Sequence, residues 1–249
     1  MRAFEDHFSR RSDIYAQNRP GYPKELYTFL ASLVPHRRLA WDCGTGNGQA
    51  ALGLAEYFDR VIATDASPDQ IAHASRHPRV DYKVTRSEAS GLESRSTALV
   101  TAAVSVHWFD LDLFYAEVRR VLSPGGLLAV WCYSLPTTEP RIDLILERYF
   151  REILFGYWPE RFRYVYEQYR TLPFPLKELT VPRMTMESNW NLAQLLGFLE
   201  SWSGTANFEK EKGHSPVELI RADLRDVWGA ESALRPLRWN LFIRLGQVS

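Results

Sequence analysis

Between Leu39 and Tyr133, five short and continuous apolar runs alternate with amphipathic stretches, and this alternation leaves few possible architectures. The runs are Leu39 to Asp42, Val61 to Thr64, Val80 to Val84, Leu99 to Val106 and Leu127 to Tyr133. A strand with one wet face alternates apolar and polar side chains, so continuous runs need cover on both faces. Ala51, Leu54, Ala55 and Phe58 mark one covering helix, and Leu111, Phe114, Val118 and Val121 mark another. Ser67-Pro68-Asp69-Gln70 supplies an N-cap, a proline at the first helical position and a glutamine at the third, the signature of a capping box. Ser123-Pro124-Gly125-Gly126 stops the second helix. Strands and helices alternating over short turns predict a parallel sheet with right-handed crossovers, a doubly wound α/β fold.

The flanks read differently. Residues 1–36 form an arm: Pro23 suits a first helical position, Leu26, Phe29, Leu30 and Leu33 follow at helical spacing, and Pro35 closes the helix. Beyond Ser134, ten of the 26 residues from Tyr149 to Phe174 are aromatic, interleaved with Arg148, Arg151, Arg161, Arg163 and Arg170. This segment is a candidate lid over an acceptor pocket, and arginines converging there would favour an anionic acceptor. Leu176 to Met186 reads as a strand, Asn191 to Trp202 and Pro216 to Trp228 as helices, and Leu237 to Leu245 as a final strand. The expected organisation is one domain: an arm (1–36), a core (37–133), a cap with one core strand (134–236) and a closing strand (237–249).

Composition removes several function classes. Thirty basic and 30 acidic residues give no net charge, which argues against broad binding to nucleic acid or anionic membrane. The two cysteines, Cys43 and Cys132, lie within apolar runs and suit small buried hydrophobes rather than a disulfide framework or a zinc site. Met1 to His7 carries no apolar signal core, and no run approaches the roughly 18 apolar residues of a membrane span. A cytoplasmic protein is expected, without metal, nucleic-acid or membrane partners; the oligomeric state stays open.

The chemistry gathers at Asp42-Cys43-Gly44-Thr45-Gly46-Asn47-Gly48, where an apolar run ends and a helix begins. Glycines allow a tight turn and a close ligand approach. Asp65 ends the next run, 21 residues beyond Gly44, where an acid can meet ribose hydroxyls. The third glycine comes one residue too early for the dinucleotide fingerprint, whose position holds Gln49. Asp42 is unhelpful beside a phosphate but helpful beside a cation. A ribose, an ammonium and a sulfonium without phosphate describe S-adenosylmethionine.

These residues, with Ser87-Glu88-Ala89 and Pro124-Gly125-Gly126, resemble the class I S-adenosylmethionine-dependent methyltransferases, more narrowly the type 11 group. Tyr15-Ala16, Arg19-Pro20, Tyr22-Pro23, His107-Trp108-Phe109 and Leu128-Ala129-Val130-Trp131 are similar to its trans-aconitate methyltransferase-like branch. The resemblance is strong over 12–133 and weak over 134–176. It implies a Rossmann-like, seven-stranded doubly wound sheet whose last strand is antiparallel, with a helical arm and a helical, aromatic cap.

The resemblance also implies roles. Gly44, Gly46 and Gly48 would form the cofactor turn, with Asp42 near the methionine ammonium. Asp65 would take the ribose hydroxyls, Ala66 would pack on the adenine, and Glu88 and Ala89 would follow its edge. Ser105 would offer a carbonyl to the ammonium, while Tyr15 and Arg19 would cover the methionine end. Ala66 is smaller than the usual neighbour, which loosens adenine packing. His107 is the catalytic candidate, as a base for a protonated nucleophile or a positioning group for a carboxylate. Tyr133 is a second residue on the substrate side. The expected reaction is in-line methyl transfer to a small molecule, with an oxygen of a carboxylate or hydroxyl as acceptor. A non-catalytic S-adenosylmethionine-binding regulator and a nicotinamide-dependent oxidoreductase are the alternatives. The chain has Ser105-Val106-His107-Trp108 where nucleic-acid base methylases carry a Pro-Pro-aromatic motif, which disfavours that substrate.

Overall fold

The computed structural model describes residues 20–248. Tyr15 and Arg19 therefore lie outside the described residues. The five apolar runs form five parallel strands: β1 Leu39–Cys43, β2 Arg60–Asp65, β3 Val80–Val84, β4 Thr97–Ala103 and β5 Leu122–Tyr133. β1, β4 and β5 are buried on both faces, as continuous apolar runs require. β3 differs, because it is the outer strand and exposes Lys83 and Val84. Its charged residues suit an edge.

The sheet order is β3-β2-β1-β4-β5-β8-β6, where β8 (Arg235–Gln247) runs antiparallel to β5. The described residues form eight strands rather than the seven expected, and the reason is local. β6 (Lys177–Leu179) and β7 (Met184–Trp190) pair with opposite ends of β8 and share one position in the sheet. Pro182 lies in the gap between them; it cannot donate to a ladder, so Leu176 to Met186 does not run as one strand. A second departure lies in β5. Ser123 to Gly126 does not leave the sheet but bulges within the strand, shifting its register on β4 from Thr97–Leu122 to Leu99–Leu127. Gly125, at φ 77°, permits the bulge.

Helices cover both faces. On one side, α1 (Lys24–Leu33) and α2 (Gln49–Ala55) bury Leu26, Leu30, Leu54 and Phe58. On the other, after the short α3 (Pro68–Ala72), α4 (Leu111–Val121) packs Phe114 and Val118 around Trp41. Trp41 Nε1 donates to Thr64 Oγ1 at 2.8 Å, so the buried indole is satisfied. The cap comprises α5 (Pro140–Arg148), continued by a π-helical turn (Tyr149–Ile153), a 3-10 turn (Glu160–Phe162) and α6 (Arg163–Tyr166). It is followed by α7 (Leu192–Glu200), α8 (Ser203–Lys212) and α9 (Glu218–Trp228). The sequence reading missed α8, which buries only Gly204, Thr205 and Phe208 and so has little apolar periodicity.

Close packing of α1 on α2 depends on Gly53. A Cβ there would lie 2.0 Å from the ring of Tyr27, itself buried on α1. Gly53→Ala is expected to lower unfolding free energy by about 1–3 kcal/mol through overpacking, measured by urea denaturation. A variant as stable as the parent would contradict this contact.

Candidate cofactor and acceptor site

The chain leaves β1 at Cys43, crosses the carboxyl ends of the strands and enters α2. Thr45 N donates to Thr64 O at 2.9 Å, tying this turn to β2. Gly44, Gly46 and Gly48 have φ of 66°, 56° and 92°, a region that favours glycine. Their surroundings differ. A Cβ would meet Ser105 Cβ at 2.6 Å from Gly44, and the Tyr82 hydroxyl at 2.1 Å from Gly48. At Gly46 the nearest atom is Gln70 Oε1, at 3.7 Å. Gly44 and Gly48 thus admit the protein's own side chains, and Gly46 is the one with room for a ligand in front of it.

Asp65 holds this open part of the turn. Its Oδ2 accepts from Gly46 N and its Oδ1 from Ser67 N, both at 2.9 Å. Ser67 caps α3 through Oγ, which accepts from Gln70 N at 3.3 Å. The reciprocal half of the expected capping box is missing, because Asp65 has taken the Ser67 N–H. Gln70 is consequently buried with no hydrogen-bond partner for Oε1 among the described residues. Sequence spacing could flag Gln70 as a cap but not as a cavity residue.

One cavity of about 1050 Å³ starts at Gly44, Gly46 and Asn47 and passes Asp65, Ala66, Gln70 and Glu88. It continues past Ser105, His107 and Tyr133 into an aromatic half walled by Phe150, Trp158, Phe162, Tyr166 and Trp202. The expected residues Gly44, Gly46, Asp65, Ala66, Glu88, Ser105 and His107 meet on its walls. Asp42, Gly48 and Ala89 do not line it. Ala89 is exposed, and its carbonyl accepts from Thr85 Oγ1 at 2.6 Å. Tyr22 and Gln49 are wall residues that the sequence reading did not assign to the site; Gln49 Nε2 donates to Pro20 O at 2.5 Å and so ties the arm to the turn.

Asp42 works from behind the turn. It is fully buried, with Oδ2 accepting from Thr45 Oγ1 at 2.5 Å and Oδ1 from Thr101 Oγ1 at 2.7 Å. Burial pushes its carboxyl up to about 6, against the lowering effect of both hydroxyls. Ser105 Oγ donates to Cys43 O at 3.0 Å, joining the end of β4 to the same turn.

His107 sits on a 3-10 turn (Val106–Trp108), reached through Val104 at φ 52°, a strained value for a β-branched residue. Its Nδ1 lies 2.9 Å from the Tyr169 hydroxyl, and both residues are buried. Burial first, and the nearby Arg161 cation second, push the imidazole down to about 3. The five cap arginines do not converge as a group. Arg148 pairs with Asp223, Arg163 lies over Tyr164, and Arg170 donates to the Glu167 carbonyl. Arg151 and Arg161 line the cavity; Arg151 is paired with Glu147. Arg161 Nη1 donates to the carbonyls of Trp108 at 3.1 Å and Phe109 at 2.6 Å.

Comparison with known proteins agrees with this geometry. A family model described as a methyltransferase domain, of the type 11 group, matches residues 41–130. A Dictyostelium discoideum protein named as a methyltransferase is 33% identical over 225 residues, covering 89% of this chain and 86% of its own length. The chain belongs to the S-adenosylmethionine-dependent methyltransferases. A solved structure described as a type II methyltransferase from Anaeromyxobacter dehalogenans superposes on it with a TM-score of 0.85 and 42% identity. That match covers 92% of this chain and 97% of the other. A Saccharomyces cerevisiae protein named as an S-adenosylmethionine-dependent methyltransferase is 23% identical, over 93% of each chain.

The walls of this methyltransferase fit its cofactor. The Asp65 carboxylate stands on the cavity wall beside the open Gly46, and Gln70 Oε1, without a hydrogen-bond partner among the described residues, belongs to a residue of the same wall. Asp65→Ala is expected to weaken S-adenosylhomocysteine binding about 10- to 100-fold, since hydrogen bonds to a charged group contribute about 1.5–3 kcal/mol. Calorimetric titration showing unchanged affinity would contradict a ligand at Asp65.

Two buried groups of the methyltransferase also make opposite contributions to its pH dependence. Asp42 is raised from 3.8 to about 6, so its stabilising effect is complete below about pH 4 and is lost as pH rises through 6. The full effect is about 3 kcal/mol, from about two pKa units. His107 is lowered from 6.5 to about 3, so its contribution is present above 6.5 and is lost as pH falls through 3. Relative to the parent, Asp42→Asn should therefore gain stability as pH rises from about 4 to 6, and His107→Gln should gain as pH falls from about 6.5 to 3. Denaturation at several pH values checks both slopes, and parallel profiles would contradict them.

Proposed function

We propose that this methyltransferase moves a methyl group from S-adenosylmethionine to an oxygen of a small acceptor seated in the aromatic half of the cavity, by in-line displacement. The observation that carries this reading is the single cavity joining Gly46 and Asp65 to the cap aromatics. Its volume is at the top of the range of roughly 300–1,000 Å³ for one ligand, which suits a cofactor with a small acceptor beside it. S-adenosylmethionine supplies, when bound, a methyl group already activated on a sulfonium.

The residues divide that task. Asp65 binds the ribose hydroxyls, Ala66 and Glu88 contact the adenine, and the Gly46 backbone admits the chain of the cofactor. Asp42 adds negative charge behind the turn, attractive to an ammonium, and Ser105 fixes the opposite rim. The aromatic walls exclude water and align the acceptor, and orientation of this kind supplies roughly 7–11 kcal/mol of a barrier.

Two features favour a carboxylate over a hydroxyl. A hydroxyl must lose a proton, and the imidazole of His107 is held neutral by burial beside a cation, which makes it a poor proton acceptor. Arg161 leaves Nε and Nη2 without hydrogen bonds among the described residues, so a cavity-lining cation retains donors for an anion.

Methyl transfer from labelled S-adenosylmethionine to a panel of small carboxylic acids and matched alcohols is the test. Turnover is expected with acids, falling at least tenfold in Arg161→Gln. Turnover confined to alcohols would overturn the carboxylate. Binding of S-adenosylhomocysteine with no transfer to any acceptor would point to a regulatory binder, and stabilisation by NAD alone to an oxidoreductase.

A further inference from the structure

His107 and Tyr169 come from different parts of the chain. His107 follows β4, whereas Tyr169 closes the aromatic cap segment, 62 residues later. Gln168 and Tyr169 both adopt left-handed backbone, at φ 58° and 59°, a conformation that is costly for two successive non-glycine residues. The surroundings hold that turn in place. Tyr169 N donates to Tyr164 O at 2.7 Å, and Arg244 Nη1 donates to the carbonyls of Tyr169 at 3.1 Å and Leu172 at 2.5 Å. The strained turn puts Gln168 on the cavity wall and the Tyr169 hydroxyl 2.9 Å from His107 Nδ1.

Donor counting then decides the tautomer. A phenol has one hydrogen to donate, and the only hydrogen bond of the Tyr169 hydroxyl among the described residues is to His107 Nδ1. Buried donors are almost always paired. A hydrogen on Nδ1 would leave the phenol hydrogen with no acceptor. Tyr169 therefore donates, Nδ1 accepts, and the ring hydrogen resides on Nε2. Nε2 makes no hydrogen bond among the described residues, and His107 is one of the residues lining the cavity.

We propose that Tyr169 is a positioning residue that locks His107 in the Nε2–H tautomer, so that His107 offers the methyl acceptor a hydrogen-bond donor and not a base. The consequence for transfer rests on the proposed function above, whereas the tautomer does not. No proton moves in this role: Nε2–H donates to an acceptor oxygen and orients the oxygen that is methylated. The burial that keeps the ring neutral is consistent with it.

The test is 15N NMR of histidine-labelled full-length protein bound to S-adenosylhomocysteine, with the His107 signal among six histidines assigned by His107→Gln. Parent protein is expected to show a protonated Nε2 and a bare Nδ1. Tyr169→Phe is expected to convert that single form into a mixture while retaining S-adenosylhomocysteine affinity within about twofold. A parent His107 carrying its hydrogen on Nδ1 overturns the proposal, and this measurement needs no variant. A Tyr169→Phe spectrum identical to the parent's overturns it as well. Neither result bears on methyl transfer, which the labelled-cofactor assay judges separately.

Discussion

The site depends on one buried carboxylate. Asp42 lies one residue from the end of β1, the strand between β2 and β4, where the sheet order reverses and a crevice opens at the carboxyl edge. Its two oxygens reach in different directions, one to Thr45 in the glycine turn and one to Thr101 on β4. The turn, the central strand and its neighbour are thereby held by one side chain. The turn needs such a brace, because three glycines give it a large choice of conformations. The bond from Ser105 to the Cys43 carbonyl closes the crevice floor from the other side, and Ser105 lies too close to Gly44 for a Cβ to fit there. Burial of Asp42 costs stability at neutral pH, where its raised carboxyl must ionise inside the fold.

Much of the core was legible because the physical causes are local. Continuous apolar runs mark strands covered on both faces, and β1, β2, β4 and β5 formed where those runs lie. Ser67 capped its helix because an N-cap needs only a hydroxyl and a backbone N–H three residues away. What the sequence did not disclose depends on partners far along the chain. Asp42 and Glu88 are both acids near motif positions, yet one is buried behind the turn and the other stands on the cavity wall. Gly48 follows the same pattern as Gly46, but it accommodates Tyr82. Gln70 changed role because Asp65 competed for the same Ser67 N–H. The split of β6 from β7 had a visible cause, Pro182, that the apolar count around it obscured.

The cap shows why an aromatic segment can serve packing and chemistry together. Phe150, Trp158 and Phe162 pack on one another, with Trp158 and Phe162 stacked at 4.1 Å between centroids. The same rings form the wall of the cavity, so the acceptor space is bounded by side chains that have few alternative positions. Polar atoms at the ends of this cluster then make the specific contacts. Arg161 seizes the carbonyls of Trp108 and Phe109, and the Tyr169 hydroxyl meets His107.

These two contacts fall on the turn that follows β4, the same turn whose Ser105 reaches back to Cys43. The half of the cavity beside the glycine turn and its aromatic half are therefore braced against one short segment, 105–109. A shift of the cap would move His107 relative to the glycine turn, and group transfer between two bound molecules is in general sensitive to a shift of this kind. Strained backbone occurs on both sides of this junction, at Val104 and at Gln168 and Tyr169. Strain at these positions persists only where surrounding bonds over-determine the backbone. Here the over-determination comes from Arg244 on β8, which binds the Tyr169 and Leu172 carbonyls and pairs with Glu178 on β6. The antiparallel strand β8 is thus what fixes the cap tyrosine against the turn that follows β4, and the sheet positions the aromatic half of the cavity as directly as it positions the half beside the glycine turn.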